Sequence, residues 1–449
     1  MKALLALALA ALGEAAASDS LPAPVCSESA ECSRAQGYGN VCADGRCAPY
    51  LDGRDLLEMI GVKQSRGVVE AYRLYPSIIP SVGYTPQNGV VVGVTTLAGI
   101  YFGDPTTTTI SSLGLVALYT SKNQVIFQSR AAILLPDNTW QLQGDYRVLL
   151  TNQPTYGLGS SASAQGTETS VGGSGDTNTL AGEQPMDFNL LRFYQLALKR
   201  ISGPLYVGAS YRLDRYFGIA DEKLDLAATP PVVTAHYAYS EQFGFSKSAY
   251  TASGVGAEIL YDSRDSTIAA YRGLYLSGSL RTYPKALGSS EDATMVQGEA
   301  RTYIGLSDDV PRNVIAFWAL ASGVTSGHLP YLTLPSIGWD FANRTGRGYV
   351  QGRFRGDGEV YGEAEWRFRL TRDGFLGGTV FANASTFSRP AVNVPGYVQG
   401  SEPLFAKVRP AGGVGLRFMM NREARNAVTL DFAAGEDSFA VYFGAGEAF

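Results

Sequence analysis

From about Tyr72 to Phe449 the chain repeats one pattern. A segment of about 10–14 residues alternates apolar with polar or small positions, and a turn or loop follows. In Trp140 to Thr151, one face carries Trp140, Leu142, Gly144, Tyr146, Val148 and Leu150, and the other carries Gln141, Gln143, Asp145 and Arg147. In Glu359 to Leu370, Val360, Gly362, Ala364, Trp366, Phe368 and Leu370 share a face opposite Glu359, Tyr361, Glu363, Glu365, Arg367 and Arg369. Successive side chains of a strand point to opposite sides, so these segments predict two-faced β-strands. A soluble sandwich would turn the apolar face inward, and a membrane barrel would turn it out to lipid. Local alternation does not separate the two.

Number, connection length and the chain end favour the barrel. About sixteen segments occur, near residues 74–84, 90–102, 107–119, 124–136, 139–151, 188–201, 205–219, 247–262, 273–283, 293–306, 313–326, 358–370, 376–387, 404–420, 426–435 and 438–449. Several connections are tight, among them Gly103-Asp104-Pro105, Pro136-Asp137-Asn138 and Ser202-Gly203-Pro204. From the segment at 139–151 onward they alternate with longer loops near 152–187, 220–246, 284–292, 327–357 and 388–403. Short turns at one rim and long loops at the other are typical of outer-membrane barrels. At the end, Phe439, Val441, Phe443, Ala445 and Phe449 alternate up to a terminal aromatic, although Glu447 falls on the same face. A terminal Phe so placed resembles the signal by which barrels are recognised for insertion. The expected fold is all-β: a single transmembrane antiparallel β-barrel of about sixteen strands over 72–449.

Composition agrees with that expectation. The 449 residues include 52 Gly, 26 Tyr and 20 Phe, residues that barrels use at bends and at membrane interfaces. Trp140, Tyr206, Tyr275 and Trp339 lie near segment ends and are candidates for an interface belt. No apolar run after the N-terminus reaches the length of a membrane helix. The net charge of −5 carries no basic bias of the kind nucleic-acid binding needs. Lys2, the run Ala3 to Leu12 and Ala15-Ala16-Ala17 read as a signal peptide over 1–17, with a buried N-terminal helix as the rival reading. All four cysteines, Cys26, Cys32, Cys42 and Cys47, fall in the next stretch. In a secreted chain an even, clustered set reads as a small disulfide-stapled segment over 18–50, followed by a linker over 51–71. The pairing is open, and zinc is a rival that the spacing, without paired C-x2-C knuckles, serves poorly.

Enzyme chemistry finds little to build on. His236 and His328 are the only histidines, and both fall in predicted loops. No H-E-x-x-H, no G-x-S-x-G and no phosphate loop occurs. Asp262 and Asp265 beside Arg264 read as a turn-capping pair rather than as two acids of a catalytic site. We therefore expect no catalytic residue, no metal and no cofactor.

The motif Gly346-Arg347-Gly348-Tyr349 adds a resemblance. The chain resembles the superfamily of outer-membrane assembly and translocation barrels of the BamA/TamA type, also called bacterial surface antigens. Those barrels carry an R-G-F/Y motif on the sixth extracellular loop, which folds into the lumen. The loop at 327–357 joins the eleventh and twelfth segments and is the sixth by count. Other pieces follow in order: Tyr84-Thr85-Pro86-Gln87-Asn88-Gly89, Pro154-Thr155-Tyr156-Gly157-Leu158-Gly159, Tyr261-Asp262-Ser263-Arg264-Asp265 with Arg272-Gly273, Gly413 to Phe418, and Thr429-Leu430-Asp431-Phe432-Ala433. The resemblance implies that Arg347 pairs with acids on the inner wall, at positions matching Glu365 and Asn383. Asn383 stands where an aspartate is usual, so a weaker clamp is expected. An arginine of such a loop otherwise simply faces water. The family carries POTRA domains before the barrel, and the 54 residues between Ala17 and Tyr72 hold none, so a POTRA-less member is expected. The implied role is help with the insertion or translocation of proteins or lipids through a seam between the first and last strands. The rival is a passive pore or structural barrel. Outer-membrane lipids are the expected partners, joined by nascent outer-membrane proteins or a periplasmic partner.

Overall fold

The structure, a computed structural model, describes residues 40–43, 46–49, 70–85, 89–162, 182–307, 312–340, 343–371, 374–422 and 425–449. The chain divides into two compact units, Met1–Tyr50 and Leu51–Phe449. In the first, β1 (Asn40–Ala43) pairs antiparallel with β2 (Arg46–Pro49), and Cys42 stands opposite Cys47 in the register. The expected signal peptide, Cys26, Cys32, residues 51–69 of the expected linker and the turn at 86–88 lie outside the described residues.

The second unit is built on one sixteen-stranded antiparallel sheet. Its strands are β3 (Leu74–Thr85), β4 (Gly89–Ile100), β5 (Ser111–Thr120), β6 (Val125–Leu134), β7 (Trp140–Thr151), β8 (Met186–Ser202), β9 (Leu205–Asp221) and β10 (Ala249–Asp262). They continue with β11 (Gly273–Tyr283), β12 (Ala293–Gly305), β13 (Val314–Gly327), β14 (Gly358–Arg369) and β15 (Leu376–Ser388). A hairpin of β16 (Val392–Val394) and β17 (Tyr397–Gln399) stands outside the sheet, which ends with β18 (Arg409–Asn421), β19 (Asn426–Gly435) and β20 (Ser438–Ala445). Every sheet strand pairs with the next sheet strand along the chain, so the topology is an unbroken meander. Sixteen strands match the sixteen segments, most within two residues.

The sheet is inside-out for a water-soluble protein. On β14, Glu359, Tyr361, Glu363, Glu365 and Arg367 are buried while Trp366 is 47% exposed. On β7, Gln141, Asp145 and Arg147 are buried while Trp140, Val148 and Leu150 are exposed. Every strand of the sheet shows at least one exposed large apolar side chain. In order they include Ile78, Val92, Leu115, Phe127, Val148, Leu191, Val207, Ile259, Leu276, Val296, Phe317, Trp366, Val380, Val414, Phe432 and Phe443. Inward charges meet one another: Arg192 Nε lies 2.6 Å from Asp214 Oδ1 and Arg281 Nη2 lies 3.0 Å from Glu258 Oε1. Of the expected belt residues, Trp140 faces outward, but Tyr206 and Tyr275 are buried on the inner side. Their positions have inward parity, and Tyr275 lies under the guanidinium groups of Arg264 and Arg301.

Three features depart from the expected barrel. First, no ladder joins β3 to β20, so hydrogen bonds do not close the sheet into a cylinder. Pro76 and Pro80 supply a physical reason. A proline has no N–H, and two prolines four residues apart lack that donor on the same edge. The ladder to β4 is continuous from Leu74 to Thr85, so the deficient edge is the one turned away from β4. Second, β20 ends at Ala445 rather than running to Phe449. Gly446 adopts φ +78° and turns the chain inward, so Phe449 is buried and packs on Trp318 at 5.2 Å between ring centroids. Glu447 thereby leaves the apolar face and meets Arg417 Nε at 2.7 Å. Third, the strand expected from 404 begins at Arg409, because Phe405 sits at φ +66° in a turn.

The connections fall into two sets. At one rim they are short, two to ten residues long. At the other, the long loops after β7, β9, β13 and β15 fold over the end of the sheet. They carry helix α1 (Ala235–Gln242) and the β16–β17 hairpin. Leu158, Val233, Tyr239, Leu332, Val394 and Tyr397 from these loops share a buried apolar cluster with Phe188, Tyr216 and Tyr250 of the strands. This cap is the largest apolar core of the unit, and it plugs the long-loop rim.

Candidate functional site

The loop after β13 does more than cap the rim. Its segment around Arg347 drops between the walls of the sheet. Asp340 sets the turn by accepting the backbone N–H groups of Arg344 (2.9 Å) and Thr345 (2.8 Å) at one carboxylate oxygen. Gly346 and Gly348 then take φ +69° and +111°, conformations that suit glycine. At Gly348 space matters as well, since a Cβ would lie 2.8 Å from Ala411 Cβ and 3.0 Å from the Ala434 carbonyl. The missing side chain lets the loop backbone lie directly on β18 and β19.

The guanidinium of Arg347 arrives in a ring of carboxylates. Its Nη1 donates to Asp431 Oδ2 at 2.8 Å, and its Nη2 donates to both Glu363 and Glu365. Its plane sits over the Phe381 ring, 3.5 Å from the centroid. Arg347, Glu363 and Glu365 have fully buried side chains, and Asp431 nearly so. The acids are shared onward. Arg367 Nε holds Glu365 at 2.6 Å, while Arg417 holds Asp431 and also Glu447. Three arginines and four carboxylates thus bind one loop to β14, β18, β19 and the chain end. Burial alone would pull the Arg347 guanidinium down, but the three carboxylates on it prevail and hold it above its ordinary value.

Neighbouring residues fix the backbone. Asn383 on β15 donates from Nδ2 to the Arg347 carbonyl at 2.9 Å. Tyr442 on β20 accepts the Gly348 N–H at 3.1 Å, and its hydroxyl donates to the Tyr349 carbonyl at 3.2 Å. Tyr349 is buried and donates from its hydroxyl to the Pro410 carbonyl at 2.6 Å.

The structure therefore brings Arg347 and Glu365 together. Asn383 is also at the site, but it serves the loop carbonyl rather than the guanidinium, a bond that a carboxylate could not donate. Sequence reasoning missed Glu363 and Asp431 as partners. Glu363 shares the charged face of β14 with Glu365, two residues away, so its parity was a usable signal. Asp431 is remote in sequence and only its place in a motif of the last strands marked it.

The other candidates lie elsewhere. Arg264 forks onto Asp262 with contacts of 2.9 and 2.8 Å. Asp265 accepts the Tyr271 N–H at 3.0 Å and meets Arg425 Nη1 at 2.7 Å, tying the turn after β10 to the turn after β18. Phe449 packs against the inner wall, where Arg367 Nη2 donates to its carbonyl at 2.9 Å. His236 sits on α1 within the cap and contacts Asp221 Oδ2 at 2.7 Å through Nδ1. His328 stacks on Phe243.

Comparison with known proteins yields fold likenesses only. No protein-family model and no curated protein matches the chain. Among solved structures, it is similar to BamA from Haemophilus ducreyi lacking POTRA domains 1-3, at 14% identity and TM-score 0.46, covering 83% of this chain and 70% of that one. It is similar to CdiB from Escherichia coli at 9% identity and TM-score 0.49, covering 83% of this chain and 62% of that one. CdiB from Acinetobacter baumannii gives 12% identity and TM-score 0.44, with 83% and 59% covered. The chain thus spans about six-tenths of each CdiB chain.

Proposed function

We propose that this chain is an integral β-barrel of a bacterial outer membrane and that it assists the insertion or translocation of proteins or lipids there. One observation carries the membrane reading: all sixteen strands turn apolar side chains out and the sheet keeps most of its charges inside. In water that outer surface would be one continuous apolar face, far beyond what soluble monomers expose. In a bilayer it is the lipid-facing band. Outer-membrane lipids are then the first partners of the chain.

The assembly role draws its support from the loop clamp and from the edge between β3 and β20. The R-G-Y motif is anchored inside the sheet by Arg347 on Glu363, Glu365 and Asp431. The β3–β20 edge has no ladder to break, so opening it costs little hydrogen bonding. One of the two strands there, β20, is also short. Eight residues of β20 at ~3.4 Å each, tilted ~40°, span ~20 Å, less than the ~25 Å apolar band of such barrels. A short wall thins the adjoining bilayer. The proposed role is mechanical, with nascent outer-membrane proteins or a periplasmic partner as the protein ligands. The cap speaks against a passive pore, since a buried apolar cluster fills the long-loop rim. A structural barrel is the remaining alternative.

Depletion tests the role. Loss of the chain lowers the folded amounts of other outer-membrane proteins or shifts lipids between leaflets. Unchanged protein and lipid profiles in depleted cells would remove the assembly role and leave the structural barrel.

A further inference from the structure

The inner wall is not uniform. From β6 onward it is charged, but on β4 and β5 its inward positions include the apolar Val91, Leu97, Val116 and Leu118 beside Gly93, Thr95, Ser112 and Gly114, and Val116 stands opposite Thr95 and Leu118 opposite Gly93. These apolar positions line a cavity of about 530 Å³ that β20 also lines. Two arginines, Arg130 of β6 and Arg344 of the clamp loop, line the same cavity.

Neither arginine has a carboxylate within ion-pair distance among the described residues. Arg130 makes one bond, from Nη2 to Gln128 Oε1 at 2.6 Å. Arg344 is pressed over Gly444 of β20, where a Cβ would lie 2.5 Å from its Nη2. The acids nearby are already engaged. Asp145 is held by Arg147 at 2.6 Å, and Asp340 accepts the loop N–H groups. Asp431 serves Arg347 and Arg417, and Glu447 serves Arg417. Burial, with Arg347 and Arg417 close by, keeps the Arg344 guanidinium below its ordinary value against the pull of Asp431. Each guanidinium carries five N–H donors in a rigid fork. The cavity therefore offers donors and positive charge in excess, next to an apolar wall.

We propose that this cavity binds an anionic amphiphile, with the carboxylate or phosphate head on Arg130 and Arg344 and a short acyl chain along Val91, Leu97, Val116 and Leu118. The inference stands on these side chains and survives if the assembly role fails. The β3–β20 edge, which lacks a ladder, borders the cavity and gives such a molecule a way in from the bilayer.

The test titrates octanoate, octanamide and inorganic phosphate into the full chain in neutral maltoside micelles, against protein-free micelles. Octanoate should bind at least about tenfold more tightly than octanamide, because the charge-assisted bonds are lost with the carboxylate. It should also bind more tightly than phosphate, which lacks the chain. R130Q/R344Q should weaken octanoate by a similar factor, while its unboiled gel band stays as compact as the wild-type band. If the double variant does not fold, the octanoate–octanamide comparison on the wild-type chain decides alone. Equal binding of octanoate and octanamide overturns the proposal, as does octanoate binding that R130Q/R344Q leaves intact. Phosphate binding as tightly as octanoate would overturn it too, by showing an anion site without a chain subsite.

Discussion

Replacing Arg347 by alanine is the most informative perturbation of the clamp. The side chain is fully buried, and so are its acceptors Glu363 and Glu365, with Asp431 nearly so. In the wild-type chain three arginines, Arg347, Arg367 and Arg417, face four carboxylates, Glu363, Glu365, Asp431 and Glu447. R347A leaves two against four. Removing one member of a buried charge network costs about 3–5 kcal/mol, because the remaining charges stay desolvated without compensation. At ~2 °C per kcal/mol for a large unit, the folded band on an unboiled gel should disappear ~6–10 °C earlier. A second substitution separates electrostatics from lost packing. E363Q alone should destabilise the wild-type chain, because it weakens an acceptor of Arg347. In the R347A background the same change should stabilise, because it removes one of the uncompensated charges. A midpoint for R347A within ~2 °C of wild type, or an E363Q effect of the same sign in both backgrounds, would refute this account of the clamp.

Three further outcomes follow from the same geometry. N383D should lower the unfolding midpoint by the equivalent of ~1–3 kcal/mol, since a carboxylate cannot donate to the Arg347 carbonyl and adds charge beside Glu363; a rise would show that this position serves the guanidinium after all. G348A should lift the loop off β18 and β19, read as faster tryptic cleavage after Arg347 and Arg353, and unchanged cleavage would mean the loop absorbs the Cβ. F317R places a charge at an outward position that is 45% exposed, and should cost ~2–4 kcal/mol in folding titrations into bilayers; a cost near zero would place Phe317 in water.

Much of the sheet was legible because its two faces differ so sharply. Glu359 to Leu370 alternates without a break, and β14 lies where that alternation runs. Which face turns inward is a different matter. It depends on whether the sheet curls around its charges or its apolar groups, and the burial of Glu363 beside the exposure of Trp366 answers it. Strand ends were legible less evenly. The alternation of Phe439 to Phe449 continues past Ala445, yet the positive φ of Gly446 redirects the last residues, and one glycine among 52 carries no mark of that. The cap was hidden because its apolar residues are scattered over four loops that the periodicity of strands does not describe. At the clamp, the pairing of Glu363 was missed although its shared parity with Glu365 marked it. That of Asp431 needed the fold, which brings β19 across from the loop.

In a membrane barrel of this kind the apolar faces meet lipid and the charged faces do not. Tryptophan positions make it directly measurable. Trp366 on β14 is 47% exposed on the outer face, and Trp318 on the adjacent β13 is 2% exposed on the inner one. Variants whose only tryptophan is one of the two, with Trp140, Trp339 and the other replaced, and folded into bilayers of brominated lipid, should differ: strong quenching for Trp366 and little for Trp318. Equal quenching of the two, or quenching of Trp318 alone, would contradict the inverted sheet and the membrane reading built on it.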